Sequence, residues 1–478
     1  MLAWYYKKIK QEDKIVKKIL AIAILIGLAG INTLPVNAIN SENPDKKVKQ
    51  SVFKKRQKKD SNQYKFDYIN YEWWKDFNDE YLTGYIEKAI LNNHDLRASS
   101  FMTQEYYQGM KMQFSQELPQ VGGNFSPAYV KLPGTTQSDW AFAVPMYAYY
   151  EIDLFLKNHD KTKSARKSWE ASLQDERAAH ISIASAVGTT YINIIKFDKL
   201  IQLQEEIVSM RTELFDLEKL RYEEGISSSL DLSQSEKGLI YAQNDLIELK
   251  KVHHKLLTQF AVLIGESPEN IDTIQRKDID EISYLREIPS EISTEVITNR
   301  PDYKKSEIMV QKAGFDVKVA RKDLLPSIII GGMGIFNATD LAHLFTTKNM
   351  LSAIGGGIQP TLFTGGRKMA NLKLKKASYE RILENYYQTN LTAIQEVNDS
   401  LFVLKSDDER YEQLVKQYQL ESESFNMNVD RFNEGILSKY DLLRYRESLL
   451  TIEKQLEQYK TDRIVSFIGL YKATGSQI

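Results

Sequence analysis

The chain has 478 residues, 42% of them hydrophobic and 27% charged, with a formal net charge of −1 and no cysteine. That balance suits a chain large enough to bury a sizeable core. It excludes a disulfide scaffold, a thiolate-bound metal centre and the strongly basic surface of a nucleic-acid binder.

The first forty residues differ from the rest. Lys7, Lys8, Lys10, Lys14, Lys17 and Lys18 precede the apolar run ILAIAILIGLAGI, and NTLPVNA closes on the small residues Val36 and Ala38. A basic head, a short apolar core and a small-residue end predict a secretory signal peptide over 1–38, cleaved after Ala38. The alternative is an uncleaved anchor, for which about thirteen apolar residues are short of the roughly 20 a bilayer requires. Cleavage takes six lysines and two acids with it and leaves about −5, mild acidity rather than a polyanion. With no cysteine, no amino-terminal lipid anchor is available. Residues 39–65, rich in lysine, read as a polar, solvated linker; a basic arm that meets acidic lipid is the other reading.

From 66 to 270 the pattern is helical, interrupted by strands. VGGNFSPAYVK and WAFAVPMYAYYEI alternate in side-chain size and predict a β-hairpin over 120–155, with Trp140, Phe142, Val144, Met146, Ala148 and Tyr150 on one face. From Lys161 to Glu224 there is no proline and one glycine, Gly188, so a single helix on the order of 100 Å long is expected. Leu200, Leu203, Ile207, Met210, Leu214 and Leu217 alternate three and four apart, a coiled-coil seam that needs a partner along its length. Gly225 ends that helix, the chain reverses, and a second helix of about 40 residues returns beside it. Asp231 then lies near the start of the returning helix, where the helix dipole favours a carboxylate.

A connection over 271–298 leads to a second unit, 299–478, that repeats the first. RPDY (300–303) answers NHDL (93–96), LLPS answers ELPQ, and RFNEGILSKYDLL answers RYEEGISSSLDLS about 210 residues earlier, with Gly435 in step with Gly225 and Asp441 with Asp231. A second β-hairpin over 327–363 and a second helical hairpin with its tip near 435 follow. The expected fold class is mainly α with candidate membrane β: long antiparallel coiled-coil helices plus four strands.

The strands have one bulky apolar face and one small or polar face, as outer-membrane barrels do, although a soluble hairpin capping a coiled coil has the same pattern. Membrane barrels begin at about eight strands and leave no edge open to lipid, so four strands per chain require several chains to share one barrel.

The order helix, strand, strand, helix, its duplication and the two glycine turns resemble the TolC family of outer-membrane efflux proteins, within it the channels of multidrug and metal pumps. The residues that carry the resemblance are YEWWKDFNDEYLTGYIEKAILNNHDL (71–96), RPDYKKSE (300–307), the LP before each first strand, LFTGGR (362–367) and the glycine turns. The resemblance implies a homotrimer with a twelve-stranded outer-membrane barrel and a twelve-helix periplasmic tunnel, docked to a periplasmic adaptor and an inner-membrane pump. A dimer's eight strands satisfy closure as well, so the trimer is implied by the resemblance alone. It also implies a periplasmic gate at the hairpin tips, with Asp441 in an acidic ring, Asp231 at the matching position of the first tip, and Arg444 where many relatives carry a second acid. Arg444 is a candidate to pair with an acid on a neighbouring helix. Asp441 as a plain helix-capping residue is the competing role. Gly225, Ile226, Ser227, Ser228, Gly435, Ile436, Leu437 and Ser438 are the expected adaptor-contact tips; an unpressured turn has the same composition.

No phosphate loop, nucleophile elbow or paired-histidine metal motif occurs, so no catalytic, cofactor or metal residue is expected. His253 occupies a seam position and reads as a packed histidine. The aromatic residues belong to seams and strands rather than to nucleic-acid stacking. The sequence leaves two other functions open: a duct for type I protein secretion, and a periplasmic coiled-coil scaffold whose strands pair only in soluble hairpins. The exported cargo is not named by any motif.

Overall fold

The computed structural model describes residues 72–131, 138–271, 274–282, 292–360 and 363–475. The expected leader, its Ala38 cleavage point and the 39–65 segment lie outside the described residues.

The two halves repeat element for element. In the first, α1 (Glu80–Asn92) and α2 (His94–Ser115) lead to β1 (Gln120–Gly123), β2 (Ser126–Lys131) and β3 (Ser138–Ile152), then to α3 (Lys157–Glu223) and α4 (Ser229–Leu263). In the second, α5 (Thr294–Asn299) and α6 (Pro301–Lys322) lead to β4 (Ser327–Ala338) and β5 (Met350–Gln359), then to α7 (Arg367–Asn433) and α8 (Lys439–Ala473). Corresponding helices match in length: α3 and α7 have 67 residues each, α4 and α8 have 35, and α2 and α6 have 22. The returning helices are thus somewhat shorter than the 40 residues expected.

A 35-residue and a 22-residue helix laid end to end span each long helix, and each junction is stapled by one side chain. In the first half Asn93 caps α2 and donates its side-chain amide to the Leu263 carbonyl at 2.9 Å. In the second, Arg300 donates to the Ala473 carbonyl at 2.5 Å and pairs with Asp302 and Glu396. These are the two residues that the sequence repeat aligns. Gly265 and Gly475, both at positive φ, lie against Asn92 and Arg300 respectively, where a Cβ at Gly265 would sit 2.7 Å from a backbone oxygen.

The largest core surrounds the middle of α3. Trp73, Trp74 and Phe77 are fully buried, with Trp73 edge-on to both others, and they pack with Val187, Tyr191, Phe260, Phe467 and Tyr471. Gly188 is the reason Trp73 fits: a Cβ there would stand 2.3 Å from the indole ring. One apolar stretch of α3 is long enough to cross a membrane, but 61% of it is buried inside the fold, which marks it as a core segment.

The strands form one antiparallel sheet in the order β1/β2, β3, β4, β5. Five segments appear where four strands were expected. β1 and β2 keep a single register against β3, from Gly123 opposite Met146 to Ser126 opposite Ala143, and the break between them lies opposite Pro145. Proline has no N–H to donate to the ladder, so one ribbon is divided in two and the four-strand topology stands.

The even-numbered face of β3 continues across the sheet. Val144 is opposite Phe336, Tyr150 opposite Ile330, Ile328 opposite Ile358, and Gly332 opposite Ile354. At one end of that face Phe125, Tyr129, Trp140 and Phe142 contact one another ring to ring. The opposite face carries the small residues Ala141, Ala143, Gly331, Ala353 and Gly355 beside Tyr147, Tyr149, Ile329, Met333 and Ile335. The alternation is that of a strand with one lipid face and one bore face.

Within the described residues the sheet ends at β1/β2 on one side and β5 on the other, and every residue of β5 is exposed. The helices end in the same places. α3 packs on α2, α4, α6 and α8, and α7 packs on α6 and α8, so the layer runs from α2 and α4 at one margin to α7 at the other. Both margins carry exposed apolar side chains: Phe101, Met112 and Tyr241 on one, Leu391, Phe402 and Leu420 on the other.

Candidate functional site at the hairpin tips

At each tip the long helix ends in a left-handed glycine. Gly225 has φ +70° and Gly435 has φ +77°. The Ile226 and Ile436 amides reach back to the Arg221 and Arg431 carbonyls at 2.7 and 2.9 Å, which satisfies the last turn of each helix in a Schellman arrangement. Nothing lies within 4 Å of a Cβ built at either glycine, so the requirement for glycine is conformational.

The returning helix starts at a serine. Ser228 accepts from the Asp231 amide at 3.2 Å, and the Asp231 carboxylate accepts from the Ser228 hydroxyl at 2.6 Å and from its amide at 3.2 Å, a reciprocal capping box. The Ser228 hydroxyl, joined by its amide, holds the Asp231 carboxyl below the usual carboxylate range. At the second tip Ser438 accepts from the Asp441 amide at 3.1 Å and donates its hydroxyl to the carboxylate at 2.6 Å. Both aspartates remain exposed and present one charge each to solvent; the Asp231 carboxylate also takes a backbone amide of its cap, whereas that of Asp441 takes only the Ser438 hydroxyl. Sequence reasoning placed the serines among the contact residues and missed their capping; the spacing S-x-x-D after each glycine was the available signal.

Ile226 and Ile436 are 69% and 64% exposed, so each tip offers an apolar side chain beside a bare glycine backbone. Leu437 and Ser227 are half-buried. Arg444 is exposed and makes no ion pair within the chain among the described residues.

The two hairpins are instead tied by residues the sequence did not single out. The Arg221 guanidinium lies 5.1 Å from the Tyr440 ring, which joins the end of α3 to the start of α8. Further along, Lys439 pairs with Glu213, Arg211 with Glu447 at 2.5 Å, and Arg446 with Glu206 at 3.3 Å. Arg211 passes over Gly238 of α4, where a Cβ would be 2.6 Å from its guanidinium nitrogen. Lys454 closes the series by donating to Gln204 at 2.7 Å. Polar contacts of this kind, half in water, are individually weak and collectively fix the angle between two coiled coils.

His253, read as a packed histidine, faces Asp198 at 3.0 Å, and Arg276 pairs with the same carboxylate. Burial works to raise the Asp198 pKa, but the facing His253 ring and the hydrogen bonds from Arg276 prevail and hold it low.

A family model described as outer membrane efflux protein matches residues 85–266 and 292–476, one match for each half. The toluene efflux pump outer membrane protein TtgC of Pseudomonas putida is 24% identical over 411 residues, covering 84% of each chain. The cation efflux system protein CusC of Escherichia coli is 25% identical over 413 residues, covering 86% of this chain and 89% of its own. Among solved structures, the Campylobacter jejuni CmeC outer membrane channel superposes with a TM-score of 0.76 at 23% identity over 94% of both chains. The open-state MtrE channel of Neisseria gonorrhoeae superposes with a TM-score of 0.73 at 22% identity, covering 84% of this chain and 91% of its own. The structural likeness is one of fold.

Proposed function

We propose a role from one premise: this chain belongs to the outer membrane efflux protein family. It is an outer-membrane efflux channel with a periplasmic extension, and its work is conduction rather than catalysis.

The reading adds that three copies complete the wall. The observation that carries it is the pair of open margins, because sheet and helix layer stop at the same two sides of the chain. The margins differ in sequence, so one copy's α7 and β5 meet the next copy's α2, α4 and β1/β2. Such a head-to-tail contact closes into a ring when the rotation allows. Successive strands then remain antiparallel around the barrel and no edge meets lipid.

The tips are the periplasmic gate and the docking point of an adaptor protein, which links the duct to an inner-membrane pump. Ile226 and Ile436 are the apolar contacts, and Gly225 and Gly435 allow close approach. Asp441 and Asp231 place carboxylates around the mouth, and the Arg221, Lys439, Arg211 and Arg446 ties hold the hairpins together until docking releases them. Cargo is small molecules: the similar proteins carry names for toluene, antibiotic, pyoverdine and cation export.

Planar-bilayer conductance of the detergent-purified oligomer, wild type against Asp441→Ala, tests this. Expected is a pore of low conductance whose cation preference falls in the variant. An oligomer that forms no pore refutes the duct; a pore with unchanged current and selectivity in the variant refutes the gate alone.

A further inference from the structure

α7 carries its charges in the order a helix favours least. Between Arg367 and Arg381 six basic residues stand against one acid, Glu380, whereas between Glu421 and Glu434 four acids stand against one base, Arg431. A helix dipole is positive at its N-terminus and negative at its C-terminus, so both groupings oppose it. α3 begins in the same way, with Lys157, Lys161, Lys163, Arg166 and Lys167 in its first three turns against Asp160. Helix stability does not account for this placement, and something outside the helix must.

Part of the charge is consumed within the fold. Lys157 pairs with Glu151 at 2.8 Å, Lys322 with Asp160 at 2.6 Å, and Lys163 and Lys318 lie over the Phe315 ring. The remainder is not. Arg166, Arg321, Arg367, Lys373, Lys376 and Arg381 are exposed, and their side chains have no partner among the described residues. A neighbouring copy against α7 offers little compensation. Its α2 margin holds only Asp95, Glu105 and Glu117, and Glu117 already faces His159 at 3.5 Å.

The position of these cations identifies their partner. β3 ends at Ile152 and α3 starts at Lys157; β5 ends at Gln359 and α7 starts at Arg367. Arg321 and Arg367 stand within a few residues of the strand ends, and Arg166, Lys373 and Lys376 follow within about 14 Å of rise along α3 and α7, whereas Arg381 lies about 21 Å below Arg367. Exposed apolar side chains occupy the same level, with Leu154 62%, Phe363 89% and Leu374 60% exposed. Apolar groups at the strand ends with long basic side chains just beyond are the composition of a membrane-interface belt, where a lysine stem lies along apolar surface and its ammonium reaches the headgroups.

We propose that Arg166, Arg321, Arg367, Lys373 and Lys376 form a collar that binds anionic phospholipid headgroups of the periplasmic leaflet. The collar rests on the outer-membrane placement of the sheet and is independent of the gate. Each surface cation near an anionic leaflet contributes about 1 kcal/mol, roughly a fivefold change in affinity.

Native mass spectrometry of the detergent-purified oligomer, titrated with phosphatidylglycerol and with phosphatidylcholine, measures the preference. Wild type binds phosphatidylglycerol more tightly, and the combined Arg367→Gln, Lys373→Gln, Lys376→Gln variant loses on the order of a hundredfold of that preference. The charge-keeping pair Lys373→Arg and Lys376→Arg retains it. Where the combined variant does not assemble, the single substitutions each lower the preference about fivefold. Equal binding of the two lipids by wild type overturns the collar, as does a preference undiminished in the variants. A variant that keeps its lipid preference but shifts ion selectivity in planar bilayers also overturns it, by placing these cations along the bore. Absence of any conductance in wild type bears on the duct and leaves the lipid result to be read separately.

Discussion

The seam between the two halves and the two free margins are built from the same kinds of element, yet only the seam is complete. Along the seam β3 pairs with β4 from Phe142 to Ile152, α8 packs on α3, and ion pairs cross between them. At the margins the same strand chemistry stops at β5, where Ile354 is 89% exposed, and the same helix chemistry stops at α7, where Phe402 is 71% exposed. A gene duplication supplies two matching halves that can satisfy each other once. On the proposed reading one chain is a section of wall, and its folding and its assembly are separable.

That separation is what substitution can break. The largest effect is expected at the free margin: Ile354→Arg places a charge on the lipid face and costs about 2–4 kcal/mol per chain near the bilayer midplane. The variant retains its helical circular dichroism and is lost from the assembled membrane fraction. An undiminished yield of oligomer would mean that β5 does not face lipid.

The fold responds to acid through a buried histidine of α3. Burial lowers the His180 pKa from 6.5 to about 4, so the folded chain resists the proton that the unfolded chain accepts. Stability is full above pH 6.5 and falls as the pH drops toward 4, by about 3 kcal/mol in all. Urea titrations across that range show the slope, and His180→Gln flattens it.

Next in size is the junction on the seam side. Arg300→Leu leaves the Ala473 carbonyl and Glu396 without their donor, a loss of about 2 kcal/mol given that Glu396 is half exposed. Thermal unfolding should shift downward by a few degrees, with assembly intact. Asn93→Leu, which removes a neutral staple, shifts it less.

The smallest effect is at the tips. Gly435→Ala meets no neighbour and costs about 1 kcal/mol for its left-handed backbone. Protease cleavage after Lys439 or Arg444 accelerates while the oligomer persists; a dissociated oligomer would place the tip among the contacts that hold the ring.

Much of this molecule is written in local periodicity. The three-four spacing of Leu200, Leu203, Ile207, Met210, Leu214 and Leu217 marked a seam; the first five are buried and Leu217 is half-buried. Two-residue alternation from Trp140 to Tyr150 gave the apolar face of β3, and the glycine pair gave the tips. What periodicity does not encode is which charged residue meets which across two helices far apart in sequence. Arg211 and Glu447 are ordinary solvent-face residues until α3 and α8 are placed in register. The break opposite Pro145 was visible as a proline but not as a missing ladder bond, because its strand neighbour was unknown. Asn93 and Arg300 were aligned by the repeat, yet their role depends on helix ends that meet only in three dimensions.

Because the chain has no cysteine, the claim that its two margins meet head to tail can be tested by cross-linking. One cysteine is placed on β5, at Ser352, Ile354 or Gly356, and one on β2, at Pro127, Ala128 or Tyr129, and the membranes are oxidised. The account predicts that an antiparallel register exists in which the double variants give a covalent ladder ending at three chains, while each single variant stays uncrosslinked. Dimers from single variants, or a ladder that does not end, would contradict it.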